Sequence, residues 1–527
     1  MAHAALPPTI QSLLSPQAYP YAVERVELRQ THISFLLFAG DFVYKIKKPL
    51  NLGFLDFSTL ELRKHFCEEE VRLNQRLCAD TYVGVVAVSD EGGAVRIESA
   101  GDAIEYAVKM RRLPDEGMMT PLLERNAVTP EMIERIAQRM AEFHLTSERN
   151  DEIDRFGGLE TVLLNWRENF EQTEPFIGRT IHQAQFDDIR AYIEEVAGDD
   201  EELFALRVRE GRARDCHGDL RADAVCFVGD GVCIFDCIEF NERFRYSDVA
   251  ADIAFLAMDL EDRGRQDLSD VLMGRYLGAT LDSTLPLVLP FYKCYRAYVR
   301  GKVDGLQLDQ AEVSAEQKAA ATASAHRSFE LAHRYAAQRR PRSLIITIGV
   351  TGSGKSHLAT ALAARLGAAC FSSDVERKRL LGIDPLEAHE DPLYAGIYDE
   401  ETTARTYEAL LERARPWLAR GKPVVLDATY LMRDQRAGPQ DLAAELGAQF
   451  LAVECEVEDK TVLERLSSRT DGRRTVSDGR WEIYKAQQER RDPVDELPVG
   501  LHVVVDTTQP LSQQIDHVLE HLFSIDS

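Results

Sequence analysis

The sequence predicts two domains: an α+β domain first, then an α/β domain built on a parallel sheet. Three observations carry that expectation. A chain of 527 residues exceeds what one hydrophobic core organises. From residue 343 onward, short apolar β-branched runs alternate with helical patterns, as in a parallel sheet covered on both faces. The first hundred residues instead alternate polar and apolar side chains like antiparallel strands, with one helical stretch among them.

The elements follow in order. Residues 1 to about 30 are Pro- and Ala-rich and then amphipathic, which predicts a short packed helix. Strands are expected over 34–37 and 41–47, a helix over 61–77 with apolar Leu62, Phe66, Leu73 and Leu77, and strands over 82–88 and 104–110. Helices should dominate 130–145 and 166–196. Residues 215–236 read as a turn carrying His217-Gly218-Asp219, a short strand, a glycine-containing hairpin turn and a second strand ending at Asp236. More helices reach about residue 298, and 311–340 form a helical connector. The expected domains are therefore 1–335 and 342–527.

Apolar content of 45% and charged content of 28% are ordinary for a globular protein. A formal net charge of −26 argues against a nucleic-acid groove or an anionic membrane as partner, while leaving room for a small basic pocket. The nine cysteines include no C-x-x-C pair and read as reduced core thiols, Cys233 and Cys237 on one strand face. Neither a targeting segment nor an apolar run of about 18 residues is evident, so a cytoplasmic protein without membrane spans is expected.

The strongest motif spans 343–358, where a strand-like run meets a glycine-rich turn and a helix start. Gly349, Gly354, Lys355 and Ser356 fill G-x-x-x-x-G-K-[ST], so ATP and Mg²⁺ are the expected cofactors. Backbone donors over Gly349, Thr351, Gly352, Ser353, Gly354, Lys355, Ser356 and His357 would cradle phosphates at the positive end of a helix. Lys355 would reach the β/γ-phosphates and Ser356 would ligate the metal. Asp374 closes the next buried strand, at the edge where open α/β sheets bind ligands, and is the expected general base, with Arg377 beside it for an anionic substrate or the phosphates. Asp427 ends another buried strand and would hold Mg²⁺ through Ser356. Thr429 and the segment 433–436 should follow on a loop at the same edge. Arg465, Arg469, Arg473 and Arg474 suggest a lid: Arg465 for the nucleotide, Arg469 and Arg473 for charge on the transferred phosphoryl group.

This set resembles the AAA-family predicted kinase group, whose relatives include zeta toxins, chloramphenicol phosphotransferase, gluconate kinase and the 5′-kinase domain of polynucleotide kinases. The likeness covers about 343–510 and implies phosphorylation of a hydroxyl without specifying the acceptor. Ring-forming motor activity is not expected.

In the first half, the order Lys45, Glu70, His217-Gly218-Asp219, Asp236 resembles the aminoglycoside phosphotransferase family, a two-lobe branch of the protein-kinase-like fold, over roughly 20–330. The resemblance implies that Lys45 holds α/β-phosphates and is oriented by Glu70 rather than Glu69. It implies that Asp219 accepts a hydroxyl proton, that Asp236 binds Mg²⁺, and that 106–114 form the adenine-facing hinge. Glu239 and Asn241 would face the same cleft, and Asp252 would anchor the catalytic loop. The departure is that Ala224 stands where the family's loop has a metal-binding Asn, and Arg221 where it has a His. A methyl group cannot ligate Mg²⁺, and Asp223 would serve only if the loop shifted register. The domain is then either a kinase with an altered metal site or a module that binds without transferring.

The expected activity is transfer of the γ-phosphoryl group of ATP to a hydroxyl of a small molecule or nucleotide, centred on the second domain. The competing expectation is a pseudokinase lobe gating a P-loop ATPase in a signalling role. Asp374 separates the two, because a switch ATPase positions water and needs no base for a hydroxyl acceptor.

Overall fold

The computed structural model describes residues 6–310, 313–387, 396–468 and 480–525. The chain forms two compact units: Met1–Asp262 with Lys293–Arg334, and Arg263–Tyr292 with Tyr335–Ser527. The helix Gln266–Thr280 thus clusters with the second unit although it lies within the span 1–335. Its Gly274 lies close against Ala361 of the helix Lys355–Leu366, and Arg365 of that helix holds Asp270 at 2.8 Å.

The first unit opens with a short helix, Pro8–Leu13, and a six-stranded antiparallel sheet. Its strands are β1 (Val26–Gln30), β2 (Ser34–Ala39), β3 (Phe42–Lys47), β4 (Tyr82–Glu91), β5 (Ala94–Ile97) and β6 (Ala103–Arg111), in the order β1-β2-β3-β6-β4-β5. The two-residue period of β3 divides its side chains. Tyr44 and Ile46 enter a core with Ile10, Leu13 and Leu37, while Lys45 and Lys47 face the helix Leu60–Cys78. Thr59 caps that helix by accepting the Leu62 N–H at 3.2 Å. Cys67, Glu70, Asn74 and Leu77 form its buried stripe.

After a helical stretch come β7 (Ala213–Asp215), the hairpin of β8 (Val225–Val228) and β9 (Gly231–Ile234), and β10 (Tyr246–Asp248), which pairs with β7. The cysteines differ from the sequence expectation. Cys78, ending its helix, and Cys233 on β9 form a disulfide with Cα atoms 4.8 Å apart. Nor do Cys233 and Cys237 share a strand face: β9 stops at Ile234, and Asp236 takes a left-handed turn (φ +64°) before Cys237.

In the second unit five parallel strands run β12-β13-β11-β14-β15, with β11 (Ser343–Ile348), β12 (Ala369–Ser372), β13 (Val424–Asp427), β14 (Gln449–Glu456) and β15 (His502–Asp506). All six residues of β11 are buried, as a central strand covered on both faces requires, which explains its unbroken apolar run. Because β13 and β14 flank β11 on opposite sides, the strand order reverses direction there. A crevice opens at the strands' carboxyl ends. No helix among the described residues is long and apolar enough to cross a membrane.

Candidate functional site

The turn after β11 leads directly into the helix Lys355–Leu366. Its backbone demands glycine. Gly352 adopts φ +79°, and a Cβ there would lie 2.8 Å from Val462 Cγ1; one at Gly349 (φ +147°) would meet the Cys455 carbonyl oxygen at 3.0 Å. Lys355 is buried and donates from Nζ to the Val350 carbonyl at 2.7 Å, bending over the loop it follows. Among the described residues Ser353 Oγ is buried with no hydrogen-bond partner, and the Ser353 carbonyl accepts from Thr507 Oγ1 at 2.7 Å.

Register sets the rest. Ser372 pairs with Asp427 across β12 and β13, so Asp427 and the start of the helix Ser373–Leu380 reach one sheet edge together. Burial pushes the Asp427 carboxyl up; its hydrogen bond to Ser356 and the charge of Lys355 work against that. Asp374 lies one turn from Arg377, at 3.4 Å, and keeps 26% of its side chain exposed. The buried Arg377 guanidinium lies over the Tyr398 ring, 4.8 Å from its centroid. These groups open onto one cavity of ≈ 870 Å³, lined among others by Gly352, Gly354, Lys355, Ser356, His357, Asp374, Arg377, Asp427 and Thr429.

The arginines divide. Arg465 donates to Thr507 Oγ1 at 3.0 Å and to its carbonyl at 2.7 Å, beside Gly352, so it braces the loop from outside the cavity lining. Arg469, Arg473 and Arg474 lie outside the described residues. The segment expected as a loop at 433–436 instead opens the helix Arg433–Glu445. There Arg436 is fully buried and donates to the carbonyls of Tyr430 (3.0 Å) and Leu431 (3.1 Å) and to Glu496. Thr429 lines the cavity and is bonded to Tyr407 at 3.1 Å. Sequence reasoning missed Gln487 and Arg490, which line the cavity from the helix Trp481–Arg490. Their spacing of three was the available signal.

In the first unit, Lys45 Nζ sits 2.8 Å from Glu70 Oε1 and 2.7 Å from Asp236 Oδ1. Lys45 holds the Asp236 carboxyl at about 2 against the effect of burial. Glu69 points elsewhere, to Arg72 at 2.6 Å. Lys47, which the sequence did not single out, is wholly buried. It bonds the second oxygen of Glu70 at 2.7 Å and pairs with Glu239. Burial raises the Glu239 carboxyl, with Lys47 opposing it. Asn241 donates to the Phe54 carbonyl at 3.0 Å and accepts the Arg243 N–H at 3.1 Å.

Asp252 anchors the turn, accepting the N–H groups of His217 and Gly218, each at 2.8 Å. Burial alone would raise the Asp252 carboxyl, but hydrogen bonding and charge from His144 outweigh it and leave it lowered. Burial keeps His217 below its ordinary value. Asp219 is not open. Arg221 holds both its oxygens at 3.1 Å and takes Asp223 at 2.8 Å. Ala224 is buried, its N–H on the Arg221 carbonyl at 3.0 Å, and the neighbouring Asp223 carboxylate is taken by Arg221.

Residues 65–287 match the family model described as "Phosphotransferase enzyme family", and 344–494 the one described as "AAA domain". Uncharacterized proteins of Mycobacterium bovis (strain ATCC BAA-935 / AF2122/97) and Mycobacterium tuberculosis (strain ATCC 25618 / H37Rv) are each 32% identical to this chain over 466 residues, 88% of this chain and 90% of theirs. Among solved structures, a gluconokinase from Sinorhizobium meliloti 1021 matches at 25% identity over 36% of this chain and 95% of its own, with TM-score 0.26. A choline/ethanolamine kinase family protein from Mesorhizobium loti matches at 12% identity over 62% of this chain and 97% of its own, with TM-score 0.36.

Proposed function

Since the chain belongs to the family of these mycobacterial proteins, which it matches across both units, we propose that it is an ATP-dependent phosphotransferase acting on a hydroxyl of a small molecule or nucleotide. We assign the chemistry to the second unit. The observation that carries this is a convergence: Asp374, Lys355 and the Ser356–Asp427 pair open onto one cavity, whereas Asp219 of the first unit is held on both oxygens by Arg221.

The residues present fit the expected cofactors. A glycine cradle that a Cβ would fill, a buried Ser353 hydroxyl without a partner among the described residues and a serine–carboxylate pair at the helix start suit a triphosphate and a hard cation. Ser356 and Asp427 would hold Mg²⁺, which when bound neutralises charge between phosphate oxygens. Lys355 would exchange the Val350 carbonyl for a phosphate oxygen. Asp374 would accept the proton of the acceptor hydroxyl, a contribution of about 10²–10⁴-fold. Arg377 would hold an anionic part of the acceptor, or the phosphates, near that base. The rest of the acceleration is positioning and fixed charge.

For the first unit, the Arg221 bonds favour a module that binds nucleotide through Lys45, Glu70 and Asp236 without transferring. As a test, Asp374→Asn should lower transfer to a hydroxyl acceptor by about 10²-fold or more and leave ATP affinity within about twofold. If turnover is unchanged, Asp374 is no base and the ATPase switch becomes the better account.

A further inference from the structure

We propose that Gln487 is a hydrogen-bond donor to the terminal phosphate of the bound nucleotide, held in its pose by the phosphate loop itself. The inference rests on reading the second unit as a nucleoside-triphosphate site.

The helix Trp481–Arg490 is fastened beside that loop. Tyr484 packs in a core with Val350, Leu431, Val462 and Leu466, Trp481 stacks on it at 4.9 Å, and its hydroxyl bonds Asp459 at 2.5 Å. Helical spacing then turns Ile483, Gln487 and Arg490 toward the cavity together. Gln487 is only 8% exposed, and its Oε1 accepts the Thr351 N–H at 2.7 Å. A backbone N–H can be met only by the oxygen of an amide, so this bond settles which branch of the side chain points where. Among the described residues Thr351 is the hydrogen-bond partner of Gln487, and the Nε2 branch is left to the cavity that Gln487 lines.

The backbone N–H groups where Gly354, Lys355 and Ser356 open the helix would take the inner phosphates, while the Lys355 side chain reaches the β/γ-phosphates. Thr351 lies on the outer limb of the loop, before Gly352. A donor fastened there, in a cavity that also holds Asp374, would meet the outermost phosphate oxygen. A diphosphate lacks that outermost group, so Gln487 would tell ATP from ADP. It would also tie the helix after the arginine-rich segment to the occupancy of the site.

The test uses the full chain as wild type, Gln487→Ala and Gln487→Glu. Calorimetry with Mg²⁺ follows ADP and a non-hydrolysable ATP analogue, counting only the binding component that Lys355→Ala removes. Glutamate keeps an acceptor for the Thr351 N–H but replaces the donors with negative charge, so it separates anchoring from phosphate contact. The expected result is a loss of about 10- to 100-fold in affinity for the analogue in both variants, larger for Glu. ADP affinity should stay within about twofold in both variants, which a misfolded chain would not retain. Analogue binding by Gln487→Glu equal to wild type, or equal weakening of both nucleotides, would overturn the assignment by reducing Gln487 to an anchor. Wild type binding neither nucleotide would instead overturn the underlying reading, and this assignment with it.

Discussion

Replacing Lys47 with methionine probes the assembled charge network of the first unit. Lys47 has no exposed side-chain surface and pairs with Glu70 at 2.7 Å and with the buried Glu239. Methionine preserves much of the volume, and Glu70 keeps Lys45 at 2.8 Å. Glu239 loses its direct partner and keeps only the charge of Lys45 nearby, so it relaxes by taking up a proton. From an ordinary carboxyl value near 4.3, protonation at pH 7 costs about 3–4 kcal/mol, in line with the roughly 3–5 kcal/mol lost when one partner of a buried pair is removed. The sign follows from proton counts. The folded variant would bind one more proton than the unfolded chain, so its stability falls as pH rises and recovers by about 1.4 kcal/mol per unit as pH drops from 7 toward 5. Urea denaturation read by hydrogen exchange in the helix Leu60–Cys78 reports this unit separately. A loss below about 1 kcal/mol with no pH dependence would mean that the pair behaves as a solvated surface bridge, and the reasoning would fail.

Two further outcomes follow. In a Lys355→Ala background, combining Arg221→His with Ala224→Asn frees Asp219 and introduces a metal-binding side chain, so nucleotide turnover should rise above that background; no rise in a folded variant would show that these two positions do not limit transfer in the first unit. Reducing the Cys78–Cys233 disulfide, which spans 155 residues, should lower first-unit stability by about 2–4 kcal/mol, read as a reductant-dependent shift of its melting transition. A melting curve indifferent to reductant would contradict that bond's role.

The legible parts of this chain were either local or carried by the order of residues along it. The phosphate loop could be read because strand, turn and helix start lie within one contiguous stretch and each position has its own chemical reason. Lys45, Glu70 and Asp236 could be read because their order along the chain matches a known arrangement, and the structure joins them. Lys47 was hidden: the two-residue period puts it beside Lys45, but its importance comes from Glu239, 192 residues away. Gln487 meets Thr351 across 136 residues, and no spacing rule reaches that far. Arg436 looked available at a strand edge, yet the fold closes carbonyls and Glu496 around it. The Cys78–Cys233 pair and the packing of the helix Gln266–Thr280 failed to show for the same reason, since both depend on which surfaces meet. Arg221 lies between these cases: its identity was visible in the sequence, but its two hydrogen bonds to Asp219 were not.

The central claim is that phosphoryl transfer belongs to the second unit. ATP turnover by the full chain as wild type, Lys355→Ala and Asp219→Asn tests it most directly. The account predicts a loss of about 10²-fold or more in Lys355→Ala, and turnover within about twofold of wild type in Asp219→Asn. Turnover that survives Lys355→Ala and collapses in Asp219→Asn would contradict it.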